Sequence, residues 1–432
     1  MYDAFEGRMS MGKTIAEKIF SGHSGLDVKA GDVVMAQADA AMSNDASGPL
    51  TIEIFHSMEA DKVPYPERIA FILDHYIPCP DSKVAKLQQS VFDFAETYHI
   101  PVYAGGEGIA HQVFDEKGYV QPGRLIVGGD SHTTTYGYLN CLGIGIGSSD
   151  MAMVFQSGEL WFKVPETIRI DFVGQPSPGI SGKDIALFLV KTLGANGGNY
   201  LSIEYGGAGI SSLPMDARRT ICNMMAECCA KCSVMPFDAV AEEYCRSRGI
   251  PTEGAVCADE DCNYCRRITV DLSRIPHLIA CPHSVDRSVP LQELAGQKVD
   301  MVLLGTCTNG RLEDFRAVYS LLKKVPGQFQ TETLVVPASR SIYLSMVEEG
   351  IAAELIKRGA MILTPSCGPC CGSSPGVPRD GFTVLSTANR NFLGRMGNTA
   401  ANIYLGSPLV AAAAALTGKF TEPKELIGSD PI

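Results

Sequence analysis

The sequence predicts an α/β protein with mostly parallel sheets, and three observations carry that prediction. Apolar runs of strand length alternate with amphipathic segments of helical spacing along the chain. No segment recurs at a fixed period, which argues against a solenoid or propeller. Several strand-like runs end in short polar sequences bearing acid, imidazole, thiol or guanidinium groups. Open α/β sheets gather ligands beyond such carboxyl ends.

In chain order, the first ten residues read as a tail, so Met9 or Met11 is a candidate start, and a helix begins at "GKTIAEKIF". "DVVMAQAD", "RIAFILDH", "PVYAGG", "RLIVGGDSH", "TIRIDFVG", "VDMVLLGTCTNG", "TETLVVPAS", "GAMILTPS" and "FTVLSTANRN" read as strands, each a short apolar run bounded by polar or glycine residues. "PDSKVAKLQQSVFDFAETYH", "GKDIALFLVKTLG", "TICNMMAECCAKCS", "RLEDFRAVYSLLKK" and "SIYLSMVEEGIAAELIKRG" carry helical spacing. Soft boundaries fall near residue 165, before "PETIRIDFVG", and near residue 290, preceded by the polar and irregular "TEGAVCADEDCNYC". The expected domains are therefore 1–165, 166–290 and 291–432, the last carrying the thiols discussed below.

Length and charge narrow the function classes. A chain of 432 residues makes two or three domains. Its net charge of -12 argues against a nucleic-acid footprint, which needs a basic face. Small anionic substrates remain open to it through a few local arginines. No apolar run reaches the roughly 18 residues of a membrane span, and the N-terminus has no signal-peptide core. The expected compartment is the cytoplasm, where the 15 cysteines are free thiols or metal ligands, not disulfides.

The thiols are the most informative residues. "TPSCGPCCGSSPG" sets Cys367 and Cys370 at C-x-x-C spacing in a loop shaped by glycine and proline, and Cys307 in "GTCTNGR" follows another strand of the same domain. Structural zinc asks for four closed ligands, and no second knuckle lies nearby. Three thiolates on an iron–sulfur cubane would leave one iron open, a Lewis acid rather than an electron carrier. Cys371, next to Cys370, should point elsewhere if the chain is extended there and reads as packing. Cys257, Cys262 and Cys265 in "CADEDCNYC" form a rival C-x4-C-x2-C group without a clear fourth ligand. Cys228, Cys229 and Cys232 lie in a helical pattern, where cysteine is usually buried and apolar.

"ILDHYIP", "GEGIAHQV", "GGDSHTTTYG", "ICNMMAE", "GTCTNGRLED", "SCGPCCG" and "STANRNFLGRMGN" stand in that order along nearly the whole chain. Together they resemble the aconitase superfamily, the group that includes isopropylmalate dehydratases and homoaconitases. The resemblance implies three α/β/α domains around a central cleft holding one [4Fe-4S] cluster with an open iron. A fourth, swivelling domain, absent here after "SPLVAAAAALTGKFTEPKELIG", would come from a small-subunit partner. It assigns the cluster ligands to Cys307, Cys367 and Cys370. Asp74 with His75, His111, and Asp130 with His132 become acid–imidazole groups, in which a carboxylate fixes the ring's tautomer and orientation. Glu227 joins them, on one helix face with Asn223 by i,i+4 spacing. Arg390 and Arg395 become carboxylate-binding forks, with Ser131, Asn223 and, by a looser match, Asn44 as further substrate contacts. His23, His56, His99, His277 and His283 are left as structural.

The implied activity is reversible dehydration and hydration of a 2-hydroxy dicarboxylate, foremost the isopropylmalate isomerisation of leucine biosynthesis. Homoaconitase, dimethylmalate dehydratase and citraconate or maleate hydratase are the alternatives inside the family; an iron–sulfur redox protein is the alternative outside it. The family's base for the carbon-bound proton is a serine of the fourth domain, and no residue of this chain matches it. Ser366 and Cys371, flanking the thiols, stand where relatives usually carry a glycine and an aliphatic residue. These border the cluster, so they bear on substrate identity more than on reaction type.

Overall fold

The computed structural model describes residues 12–428; the expected N-terminal tail, Met9 and Met11 lie outside the described residues. The strand and helix alternation resolves into three main sheets and one small ribbon. The first sheet runs Val102–Tyr103, Ile69–Ile72, Ala40–Asn44, Leu125–Gly128, Leu142–Gly145, all parallel. The second runs Cys232–Val234, Ser202–Gly206, Thr167–Val173, Arg266–Asp271, again all parallel. The third is larger: Ser288–Pro290, Leu278–Ala280, Asn402–Leu405, Thr383–Ser386, Met301–Gly305, Glu332–Val336, Met361–Ile362. Leu278–Ala280 runs antiparallel to both its neighbours, and every other pairing in this sheet is parallel.

Local chemistry sets the helix limits. Asp81 accepts from the N–H groups of Lys83 and Val84 and starts helix Ser82–Tyr98, which His99 ends in the left-handed region. Ser181 and Asp184 form a reciprocal capping box at the start of Gly182–Leu193. Helix Pro408–Thr417 is buried from Pro408 to Leu416 and packs on Met301–Gly305, where its alanines permit close approach. Met42, Ile72 and Ile126 of the first sheet, Ile170 and Tyr205 of the second, and Leu303, Val336 and Val384 of the third share one contiguous apolar core. Ion pairing adds to the join: Arg340 reaches Glu107 at 2.7 Å, and Ser339 donates to Glu116 at 2.7 Å.

Three elements differ from expectation. "DVVMAQAD" forms a strand, Val33–Gln37, but it pairs only with Glu159–Lys163 in an antiparallel ribbon outside the main sheets. "SIYLSMVEEGIAAELIKRG" is two helices, Arg340–Glu348 and Ile351–Lys357, broken at Gly350, whose φ is +76°. "TICNMMAECCAKCS" is not one helix. The α-helix Met215–Met224 ends there, a 3-10 turn Met225–Cys228 follows, and Cys232–Val234 is an edge strand.

Gly305 closes the central strand of the third sheet at φ +121°, and a Cβ there would lie 1.9 Å from the Val336 carbonyl oxygen. Gly305→Ala should therefore cost on the order of 3 kcal/mol through strain and overpacking. The expected readout is a lowered urea midpoint, and an unchanged midpoint would show that the strand end can shift freely.

Candidate active site

Five strand ends and one helix end converge. Ile69–Ile72 leads into Asp74 and His75, Leu125–Gly128 into Asp130 and His132, and Met301–Gly305 into Cys307. Met361–Ile362 leads into Cys367 and Cys370, Thr383–Ser386 into Asn389 and Arg390, and helix Met215–Met224 brings Asn223 and Glu227.

The thiols surround a shared space. Cys367 hangs from the first sheet: its N–H donates to the Asp74 carbonyl at 2.8 Å, and its Sγ lies 3.5 Å from Asp74 Oδ2. Asn389 sits between the other two, with Nδ2 3.2 Å from Cys307 Sγ and Oδ1 3.9 Å from Cys370 Sγ. Asn223 Nδ2 is 3.5 Å from Cys307 Sγ, and Arg395 Nη2 is 3.8 Å from Cys370 Sγ. N–H donors aimed at sulfur suit thiolates. Yet burial, reinforced by the neighbouring thiol of Cys370, pushes Cys307 up to about 12. Burial likewise pushes Cys367 well above the usual thiol range, with Asp74 adding to it. Such thiols ionise only against a strong positive charge, as a metal centre supplies. They do not close on one ion: among the described residues the single-ion grouping is Asp74, His75 and Cys367. A cubane binds its thiolates through separate irons, so a spread set of three fits it better than it fits zinc.

The rival thiols do not assemble. Among the described residues Cys257, Cys262 and Cys265 form no single-ion group, and Cys265 Sγ is turned to the Thr167 carbonyl at 3.3 Å. Cys228 and Cys232 are buried, but Cys229 is exposed in the left-handed region at φ +61°, so of the helical packing expected of all three only Cys228 keeps a helical place, in the 3-10 turn, and two keep the burial. Cys371 is not in extended chain; it shares the 3-10 turn Gly368–Cys371 and lies 2.7 Å from Ser373 Oγ.

The acid–imidazole groups form a continuous relay. His75 Nδ1 is 2.6 Å from Asp74 Oδ1, while Asp74 Oδ2 accepts the Ala110 N–H at 2.7 Å. Asp130 stands between rings, 3.0 Å from His111 Nε2, 3.4 Å from His132 Nδ1 and 3.8 Å from His75 Nε2. His132 Nε2 is 2.9 Å from Glu227 Oε1, which also accepts from Arg390 Nε at 2.8 Å. Burial disfavours charge on His75, but Asp74 and then Asp130 outweigh it and raise its pKa to about 10. Burial also opposes ionisation of Asp130, and hydrogen bonds to His111 and His132 overcome it and hold the carboxyl well below its usual range.

Of the remaining expected contacts, Ser131 is exposed beside the relay, with Oγ 3.4 Å from His132 Nδ1. Asn223 binds Thr135 Oγ1 and accepts from Thr308 Oγ1 as well as reaching Cys307. Glu227 lies one 3-10 turn beyond the helix that carries Asn223, not on a shared α-helical face. Asn44 is buried, and its Oδ1 is committed to Ala46 N, Ser47 N and Ser47 Oγ, which makes it a turn former at the strand end.

Three residues escaped the sequence reading. Asp45, 1% exposed, accepts from the N–H groups of Asp74, His75 and Tyr76 and from Gln88 Nε2, so it shapes the loop that presents the first acid–imidazole pair. Asn389 bridges two thiols. Lys183 is wholly buried; Nζ donates to the Thr387 carbonyl at 2.9 Å and to that of Ala388, fixing the approach to Asn389 and Arg390. Burial lowers its pKa to about 7 against the opposing pull of Cys307 and Cys370. Its place in a helix N-terminus, "SGKDIALF", gave no sign of this.

Fold and site define an α/β protein that sets a three-thiol centre beside a buried acid–imidazole relay. The model of the aconitase family (aconitate hydratase) matches residues 17–299 and 292–418, and the chain belongs to that family. It is 42% identical over 420 residues, 96% of this chain and 100% of the relative, to 3-isopropylmalate dehydratase large subunit 1 of Thermotoga maritima. It is 41% identical to the protein of the same name in Methanopyrus kandleri, over 96% of this chain and 99% of the relative. In fold it is similar to aconitase X of Thermococcus kodakaraensis, with a TM-score of 0.52 and 11% identity over 92% of this chain and 90% of that one.

Asp45→Ala would leave three loop N–H groups without their acceptor. Removing a buried ionic acceptor costs on the order of 3 kcal/mol. The expected result is a lowered urea midpoint together with faster amide exchange at residues 74–76; protection at wild-type level would mean the loop is held elsewhere.

Proposed function

We propose that this chain is the large, iron–sulfur subunit of a hydro-lyase that reversibly removes and adds water on a 2-hydroxy dicarboxylate, with 3-isopropylmalate as its substrate. The observation that carries the reading is the meeting of three buried thiols with the Asp74–His75 and His111–Asp130–His132–Glu227 groups in one cleft. The substrate assignment is supported by relatives near 40% identity over their whole length that bear this name. We read the sheets as three domains whose carboxyl ends face the cleft, and we place the enzyme in the cytoplasm; among the described residues no helix is long and apolar enough to cross a membrane.

Cys307, Cys367 and Cys370 would hold a [4Fe-4S] cluster, whose open iron supplies Lewis acidity toward a carbon–oxygen bond. The protein's own groups do the rest. Arg390 has Nε committed to Glu227, so its terminal nitrogens are the ones free to grip a carboxylate. Arg395 adds a second fork from the Cys370 side. Positioning by such clamps is worth up to roughly 7–11 kcal/mol when geometry is ideal. Asp74 anchors Nδ1 of His75, which leaves Nε2 as the nitrogen able to give a proton to a departing hydroxyl and to take it back in hydration. Asp130 fixes the His111 and His132 rings around that nitrogen, and Glu227 couples the carboxylate-gripping arginine to the same network.

The carbon-bound proton needs a base on the opposite face. Ser373 and Ser374 donate to the His75 carbonyl, Ser374 at 2.9 Å, and are structural there. A small subunit covering the cleft would bring the base and exclude water, in keeping with relatives named large subunits.

Anaerobic reconstitution should load about four irons per chain. Cys307→Ser, Cys367→Ser and Cys370→Ser should each lose the iron and its visible absorbance, whereas Cys371→Ala should keep both. Iron retained in any of the three serine variants would undo the ligand assignment. In an absorbance assay for the unsaturated product of 3-isopropylmalate, the loaded chain should turn over at least about a hundredfold faster with its small subunit than alone, as expected for a missing acid–base group. Full turnover by the lone chain would place the base among these residues.

A further inference from the structure

Among the described residues Lys183 is the one fully buried lysine, at 0% exposure. It stands second in helix Gly182–Leu193, at the positive end of the helix dipole, where a cation is disfavoured. Burial away from a counter-ion is a second penalty. No carboxylate answers either one. Among the described residues Nζ makes no ion pair, and its hydrogen bonds go to the uncharged carbonyls of Thr387 and Ala388. The acids that bear on it are committed elsewhere. Asp184 accepts from Ser181 and lies against His277, and Asp314 accepts from Asn309 Nδ2 and the Arg311 N–H.

What the ammonium has around it is sulfur. Burial lowers its pKa, and the groups that pull it back are, in order, Cys307, Cys370, Asp184 and Asp314. The hydrogen bonds run the same way. The two carbonyls held by Lys183 immediately precede Asn389, whose amide lies 3.2 Å from Cys307 Sγ through Nδ2 and 3.9 Å from Cys370 Sγ through Oδ1. Thr387 Oγ1 also accepts the Gly305 N–H at 2.8 Å, two residues before Cys307. One lysine thus grips the strand end that carries the thiol-bridging amide, and that strand end is tied to the one that carries Cys307. Arg395, with Nη2 3.8 Å from Cys370 Sγ, is a further cation at the sulfurs. It is only half-buried, and its fork is the proposed grip for a substrate that comes and goes.

Given the iron–sulfur reading of these thiols, on which the inference rests, we propose that Lys183 is the resident countercharge of the Cys307 and Cys370 thiolates and a positioning residue for the thiol centre. Its ammonium offsets their negative charge, and through Thr387 and Ala388 it keeps Asn389 between the two sulfurs. The ionised sulfurs in turn make a buried ammonium without a carboxylate tolerable, so each charge stabilises the other. Net charge and hydrogen bonds to sulfur help to set the potential of a thiolate-bound cluster. A nearby cation favours the more negative, reduced state.

A redox titration of the anaerobically reconstituted chain, followed by electron paramagnetic resonance, tests this, with iron content and the urea midpoint as companion readouts. Lys183→Met and Lys183→Gln both remove the charge, and the glutamine keeps a hydrogen-bond donor. Each should shift the one-electron equilibrium toward the oxidised state by about tenfold, a potential about 59 mV lower. Lys183→Arg keeps the charge and should restore most of that shift. Neutral variants that fold but load no iron, beside a loaded Lys183→Arg, also support the countercharge. Neutral variants at the wild-type potential, or an arginine variant displaced as far as the methionine one, overturn it. Loss of fold or of iron in all three variants makes Lys183 a structural clamp and overturns it too. A wild type that takes up no iron overturns the iron–sulfur reading and this inference together, whereas a loaded wild type beside unmoved variants overturns this inference alone.

Discussion

The contact between Asp74 and Cys367 is the constraint on which the site depends. Asp74 ends a strand of the first sheet, and Cys367 begins the thiol loop of the third. The Asp74 carbonyl accepts the Cys367 N–H, and its carboxylate lies against the Cys367 sulfur while also binding His75 and the Ala110 N–H. One residue thus fixes the distance between the thiol loop and the His75 ring. Asp45 stands behind it, accepting from three consecutive backbone N–H groups, so the register of residues 74–76 is set by a buried carboxylate that never faces the cleft. Holding reacting groups to within fractions of an ångström takes supports of this kind.

The same logic explains what the second sheet's helices add although none of its strands ends in a reactive group. Its helix Met215–Met224 carries Asn223 to Cys307, and the turn after it carries Glu227 to His132 and Arg390. The next helix back, Gly182–Leu193, sends Lys183 to the Thr387 and Ala388 carbonyls. The third sheet's polar strand end is therefore clamped by helix Gly182–Leu193, one residue before Asn389. Burying an ammonium is expensive unless its donors are used, and Lys183 uses at least two on carbonyls that would otherwise lack that partner.

Much of this was legible in the sequence, because strand ends announce themselves. An apolar run followed by Asp-His, Asp-Ser-His or Cys-Thr-Asn is a buried strand meeting reactive side chains, and parallel sheets put such ends on one side. What stayed hidden depended on packing rather than pattern. "AAMSN" forms the central strand of the first sheet with no β-branched residue, since burial on both faces, not propensity, makes it a strand. "MMAECCAKCS" has helical spacing, yet its helix stops at Met224 and the chain turns through a left-handed Cys229 into an edge strand beside Ser202–Gly206. Asp45 left no mark in the sequence because its partners lie 29 to 43 residues away. Asn44, beside it, drew attention from family register and proved to be the turn former.

The electrostatic problem of the cleft shows why its cations are placed where they are. Asp74, Asp130 and Glu227 crowd around the histidines, and the chain as a whole carries a charge of -12. A dianionic substrate entering such a cleft would be repelled unless positive charge met it locally, for at about 8 Å of screening length distant lysines contribute little. Arg390 and Arg395, the carboxylate grips of the proposed reading, stand on the thiol side. Guanidinium forks grip a carboxylate in a fixed orientation, whereas an ammonium with backbone amides attracts negative charge without dictating its geometry. In the reading proposed above, orientation is therefore imposed where the acid–imidazole groups can use it.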